Sequence, residues 1–167
     1  MQRNCVFLFD EIRIELQLLM VMDRIDERIL RELKLDGRIA NVELAERVGL
    51  SPSATLRRVQ ELEKSGVIKG YRAVFDGTKL GIGFIAYVSV GLANHSKQSQ
   101  VGFEEHLRFA KEVTEIHNIT GANEYLIRVE TRDLNAYKRF HADVLGEYPH
   151  INSITTMVVM DTPKDER

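Results

Sequence analysis

The chain is poor in the residues that build covalent or metal-held scaffolds. Its 167 residues contain one cysteine, Cys5, which excludes an internal disulfide framework and a cysteine-rich zinc site. Its five histidines, at 95, 106, 117, 141 and 150, fall on separate elements and have no metal-ligand spacing. The net charge is only −2, so bulk electrostatics do not drive binding to nucleic acid. No apolar run is long enough to cross a bilayer. The first 21 residues have apolar stretches, but Asp10, Glu11, Arg13 and Glu15 interrupt them, and no basic, apolar and small-residue order marks a signal peptide. Glycine-rich phosphate loops, nucleophile elbows and paired-carboxylate motifs are missing, so no enzymatic machinery is visible. No metal or cofactor is expected, and the composition fits a globular chain of one large or two small domains. A reducing cytoplasm is the expected compartment.

What is present is organised around residues 41–70, NVELAERVGLSPSATLRRVQELEKSGVIKG. The pattern predicts a short helix from Asn41 to Val48, with Asn41 as N-cap and Val42, Leu44, Ala45 and Val48 at helical spacing. Gly49 suits a left-handed helix end, and Leu50 returns to the core. Ser51-Pro52 opens a second helix, with Ser51 as cap and Pro52 where its missing N–H costs nothing. That helix should run to about Ser65, burying Leu56, Val59 and Leu62. Its other face carries Ser53, Ala54, Arg57, Arg58, Glu61 and Lys64. Small residues, hydroxyls and cations on one face suit close approach to a major groove. After Gly66, Val67 to Tyr71 reads as a strand, the wing. Upstream, Asp23 to Leu35 reads as an amphipathic helix with Ile25, Ile29, Leu30 and Leu33 inward.

Charge is spread evenly. Residues 22–70 carry ten Lys/Arg against nine Asp/Glu, about +1; residues 71–167 carry eleven against thirteen, about −2; residues 1–21 contribute −1. DNA affinity must therefore come from local placement of a few cations and from doubling the site in a dimer.

Beyond a linker at 71–83, where Asp76-Gly77, Gly81 and Gly83 break the pattern, a second set of elements follows. Phe84 to Leu92 alternates as a strand, and Gln98 to Ala110 reads as a helix burying Val101, Leu107 and Ala110. Val113 to Ile119 and Tyr125 to Glu130 are strands around a turn. Asp133 caps a helix to about Gly146 with Leu134, Tyr137, Phe140 and Val144 inward, and Ile151 to Met160 is the last strand. This βαββαβ order is the split βαβ arrangement of ferredoxin-like folds, an α+β class. In the last strand Ile151, Met157 and Val159 oppose Ile154, Val158 and Met160. One sheet face then lacks an intrachain cover, which points to a dimer carrying two recognition helices.

The segments MDRIDERILRELKLDGRIANVELA and LAERVGLSPSATLRRVQELEKSGVIKGY resemble the DNA-binding half of the leucine-responsive/asparagine (Lrp/AsnC) regulators, and the likeness spans about residues 22–160. It implies a winged helix-turn-helix at 22–70, an effector-binding and oligomerising domain at 84–160 and a charged tail at 161–167. Residues 1–21 are then expected to precede a natural start at Met22 or Met20; the other reading is a helix packed on the dimer. The expected DNA contacts are Ser51, Ser53, Ala54, Arg57, Arg58 and Lys64. The serines and the helix N-terminus suit phosphates, Arg57 suits base edges and Arg58 the backbone, unless Arg58 is tied to a neighbouring acid. The resemblance also implies an amino-acid effector pocket at the turn ITGANEYLIRV, through Gly121, Ala122, Asn123, Glu124 and Tyr125. Here Asn123 stands where an aromatic is usual and Glu124 where Asp is usual; a plain hairpin turn is the alternative. The implied partners are double-stranded DNA, the chain itself as dimer, tetramer or octamer, and a free amino acid, in a nucleoid-associated cytoplasmic protein. Two other functions compete: an architectural DNA-bending protein without effector, and an enzyme subunit similar to sirohaem decarboxylases, for which His117 is the one hint.

Overall fold

The structure, a computed structural model, describes residues 22–165; Cys5 and the expectations for residues 1–21 lie outside them. The chain divides into two compact units between Ala73 and Val74.

In the first unit α1 spans Arg24–Leu35, α2 Asn41–Val48 and α3 Pro52–Lys64. Asp23 starts α1 with a capping box: its carboxylate accepts from the Ile25 and Asp26 amides, and Asp26 reaches back to the Asp23 N–H. Gly49 adopts φ 76°, ψ 36°. That left-handed residue lets its own N–H and the Leu50 N–H return to the Ala45 carbonyl, closing α2. Ser51 accepts from the Ala54 amide and Pro52 occupies the first turn of α3. Ile29, Leu44, Val48 and Leu62 form the core, with Ile25, Leu30, Leu33, Ile39, Leu50, Val59, Val67 and Ile68 packed around it.

Four expectations change here. Ala40, not Asn41, is the N-cap of α2; the Asn41 amide instead donates to the Pro52 carbonyl at 2.9 Å, tying α2 to the start of α3. Val42 is exposed, being in the first turn on the outer side. On α3 the fully buried position is Thr55 and not Leu56, which is exposed. The Thr55 hydroxyl donates to the Ser51 carbonyl, so it enters the core with its polar atom satisfied. Val67 to Tyr71 forms no strand; the described residues of this unit contain no second strand to complete a ladder, and Val67 and Ile68 pack on the helices.

The second unit holds β1 (Phe84–Leu92), α4 (Lys97–Leu107), β2 (Val113–Asn118), β3 (Tyr125–Thr131), α5 (Leu134–Phe140) and β4 (Ile151–Val158). The sheet order is β2-β3-β1-β4 and all neighbours are antiparallel, the ferredoxin-like order expected. Alternation in β1 and β3 sends Ala86, Val88, Val90, Tyr125, Ile127 and Val129 to the helix-covered face, where they join Phe103, Leu107, Tyr137, Phe140 and Leu145.

Three helix-facing expectations are corrected. Val101 and Leu134 are exposed, and Phe103 takes the central position on α4. After α5 the chain widens into a π turn, His141–Leu145, closed by Gly146 N–H to the His141 carbonyl. The extra residue per turn rotates Leu145 into the core and leaves Val144 half-buried. In β4 a register shift opposite Gly91/Leu92 puts Ile151 on the same side as Ile154, so both pack on the helical core. Met157 therefore supplies the other face, with Ile85, Tyr87 and Leu126 from the neighbouring strands. None of the described helices of this unit packs on that open face.

Candidate functional site: a helix surface and a strand turn

The N-terminal half of α3 is where the first unit turns chemistry outward. Ser51 and Ser53 are exposed, their hydroxyls 3.2 Å apart. Ala54 is half-buried, and Arg57 and Lys64 are exposed. Arg57 makes no ion pair among the described residues. Arg58, one step around the helix, is committed elsewhere: its guanidinium donates to Asp26 and to Asp23, both at 2.8 Å. Those bonds, Asp26 first, raise its pKa further and hold it cationic, and with only a quarter of its side chain exposed it is part of the α1–α3 contact. The expected backbone contact by Arg58 gives way to this ion-pair cluster. The Asp26 amide, ahead of the Arg58 contact, holds the Asp23 carboxyl below its ordinary range. A second cluster, Arg47 with Glu32 and Glu43, joins α2 to α1.

The turn between β2 and β3 is the other place where polar groups converge. Gly121 takes φ 144°, a region that favours glycine. The Glu124 carboxylate accepts the Leu92 amide at 2.7 Å and contacts His95 Nδ1 at 2.8 Å. The Leu92 bond is the chief reason its pKa lies below the ordinary carboxylate value; burial opposes this, and His95 adds to the lowering. Asn123 is held twice: its amide donates to Ser89 Oγ at 2.8 Å and accepts from Ser153 Oγ at 2.7 Å. A Cβ on Gly91 would run into the atoms of that second bond, so β1 needs glycine there. These groups surround a cavity of about 300 Å³ that also borders Ala122 and Asn152.

Of the five turn residues named from sequence, Ala122, Asn123 and Glu124 border this cavity, and Gly121 shapes the turn. Tyr125 does not join them. Strand alternation sends it into the helical core, where its hydroxyl donates to Glu104 at 2.7 Å; burial, then that bond, pushes its pKa up to about 12. Sequence reasoning missed Gly91, His95 and Ser153. They come from β1, its following loop and β4, and only the pairing of Gly91 with Ser153 brings them together.

Comparison with known proteins decides the family. Residues 22–69 match the family model "Winged helix-turn-helix DNA-binding" and residues 85–167 match "Lrp/AsnC ligand binding domain". The leucine-responsive regulatory proteins of Klebsiella pneumoniae and Escherichia coli K12 are 37% identical over 143 residues, covering 86% of this chain and 87% of theirs. The chain belongs to the Lrp/AsnC family. Among solved structures, a Neisseria meningitidis transcriptional regulator in complex with L-Met superposes with TM-score 0.83 at 32% identity, covering 87% of this chain and 94% of that one. An AsnC family regulator from Agrobacterium tumefaciens gives 0.81 at 33% identity, covering 86% and 94%.

This Lrp/AsnC protein is a DNA-binding regulator and not an enzyme. His117 is exposed and bonded to Glu115, which places it in a surface pair. No helix of the described residues is long and apolar enough to cross a membrane, and no cluster that could hold a metal occurs among them.

Proposed function

We propose that the chain is an amino-acid-responsive transcriptional regulator that binds operator DNA as a dimer or a larger assembly in the cytoplasm. The carrying observation is the contrast between adjacent arginines on α3. Arg58 is consumed by Asp23 and Asp26, whereas Arg57 stands exposed beside Ser51, Ser53 and Ala54. Arg57 is the base-reading group, Ser51 and Ser53 bind phosphate at the helix start, and Lys64 approaches the backbone further along. Arg58 acts indirectly, by holding α3 on α1.

The sheet face that no helix of the unit covers supports a dimer formed by pairing two such faces. On this face Ile85, Tyr87 and Met157 lie together, with the Arg128–Glu130 ion pair beside Tyr87 and Ile85, Leu126 opposite Ser89, and the segment from Val159 to Asp165 bordering Tyr87 and Arg128. The cavity at Glu124 opens at one end of this face, through Ser153 and Gly91. A ligand there would lie at the rim of the pairing surface and alter the relation between copies. The ionised Glu124 supplies the counter-charge for an amino-acid ammonium. The Neisseria relative, solved with L-Met, supports an amino acid as effector.

The reading is tested by placing a charge in the open face. Ile85→Asp is expected to give monomers in sedimentation and to weaken duplex binding by about 100-fold, since two linked half-sites become two separate ones. A variant that stays dimeric with unchanged affinity contradicts the proposal.

A further inference from the structure

Resting on the sensor reading above, we infer that the cavity beside Glu124 selects a short amino acid with an uncharged hydrogen-bonding side chain, a carboxamide or hydroxyl, and rejects branched aliphatic ones. The selecting residues are Asn123 and Ser153.

The cavity has almost no apolar wall. Leu92 borders it, but its side chain belongs to the helical core on the other side of the sheet, so only its backbone faces the site. The apolar side chains left are the methyl groups of Ala93 and Ala122. Facing them are Asn123, Ser153, Asn152, His95 and Glu124. A leucine-sized side chain seated here would strip water from these groups and offer nothing in return.

The polar groups are also fixed in place. Asn123 spends one amide hydrogen on Ser89 and one lone pair on Ser153. One hydrogen and one lone pair of the same amide remain, and the Ser153 hydroxyl oxygen can still accept. The bare Cα of Gly91 lies beneath the Asn123–Ser153 bond, where any larger residue would displace it. An adjacent donor and acceptor, held in place between β1, β4 and the β2–β3 turn, match a ligand amide or hydroxyl. Basic side chains fit less well. Glu124 is the sole acid bordering the cavity; with its charge answered by the ligand ammonium, a basic side chain has no partner. Sites built to hydrogen-bond a polar side chain discriminate against apolar analogues more strongly than apolar pockets discriminate by size.

The test is binding of L-asparagine, L-glutamine, L-serine and L-threonine against L-leucine, L-isoleucine, L-valine and L-methionine to the full-length protein, by calorimetry and thermal shift. At least one polar amino acid is expected to bind about tenfold or more tightly than every aliphatic one. Ser153→Ala and Asn123→Leu are each expected to reduce that preference by about tenfold. Should Asn123→Leu fail to fold, Ser153→Ala carries the test, because it leaves the Asn123–Ser89 bond in place. An aliphatic amino acid binding as tightly, with the signal removed by Glu124→Ala, overturns this inference and leaves the sensor reading standing. Polar binding that neither variant alters also overturns it. With the panel extended to all twenty amino acids, an absence of binding by any of them ends the sensor reading and this inference with it.

Discussion

The two units of this chain hold themselves together differently. The sheet unit has a continuous apolar interior: twelve buried residues from β1, β3, the two helices and the π turn, with the Phe103 ring against Tyr125 and Tyr148. The helix-turn-helix unit buries four such residues in its core and surrounds them with ion pairs, Arg58 with Asp23 and Asp26, and Arg47 with Glu32 and Glu43. A three-helix unit this small cannot close an apolar core of ordinary size. Its helices are set in place partly by charged groups, and the same α3 keeps Arg57 and Lys64 outward, the cations proposed to meet DNA. Adjacent arginines in one helix therefore divide into one that holds the fold and one that faces out. A basic residue on an exposed helix is assigned by what the neighbouring helix offers it.

The largest effect is expected in the sheet unit. Phe103→Ala removes a ring with no exposed surface, and a loss of about 3–5 kcal/mol is expected, read as a large fall in the denaturation midpoint. Ile29→Ala, the corresponding change in the helical unit, is expected to cost about 2–4 kcal/mol. With so small a core, the amides of α1 to α3 should lose hydrogen-exchange protection while those of the sheet keep it. Arg58→Ala sharpens the contrast: it leaves the nearly buried Asp26 carboxylate without its cation, and about 1–2 kcal/mol of stability should disappear, discounted for partial exposure. Exchange protection of α1 and α3 reads the effect, and unchanged protection would show the pair to be idle.

Acid tests the same cluster without mutation. Asp23 titrates below its ordinary value of 3.8 in the folded unit. Its contribution is therefore complete above that value and is withdrawn as pH falls through the lowered one. Protection in α1 should weaken on acidification in the wild type, and less in Arg58→Ala. The smallest expected change is Ser51→Ala, which removes the α3 cap and should cost about 1 kcal/mol or less, because its bond to the Ala54 amide is long at 3.3 Å.

Much of this was legible in the residues. Ser51-Pro52, Gly49 and Asp133 announce helix ends through local chemistry, and each stands where its type predicts. The strict alternation of Phe84 to Leu92 fixes a strand and its buried face. The order of elements then leaves few topologies, and the ferredoxin-like one is observed. What failed depends on partners far away in sequence. Asn41 looks like a cap, yet the Pro52 carbonyl captures its amide. Leu56, Val101 and Leu134 are apolar on helix flanks that no neighbour covers within the unit, so periodicity misplaces them. The π turn after α5 and the β4 register shift each change the phase by one residue; neither leaves a mark in composition. Asn123 and Glu124 were named through the family resemblance alone, and Ser153 and Gly91 join them only through strand pairing.

The most direct measurement concerns Arg57 and Arg58. Duplexes recovered by wild-type protein from a random-sequence pool provide the probe, and affinities of Arg57→Ala and Arg58→Ala are measured alongside helix hydrogen exchange. Arg57→Ala is expected to lose about tenfold or more in affinity with exchange unchanged, while Arg58→Ala loses protection in α1 and α3. Full affinity in a folded Arg57→Ala protein would contradict the assignment of α3 as the reading surface.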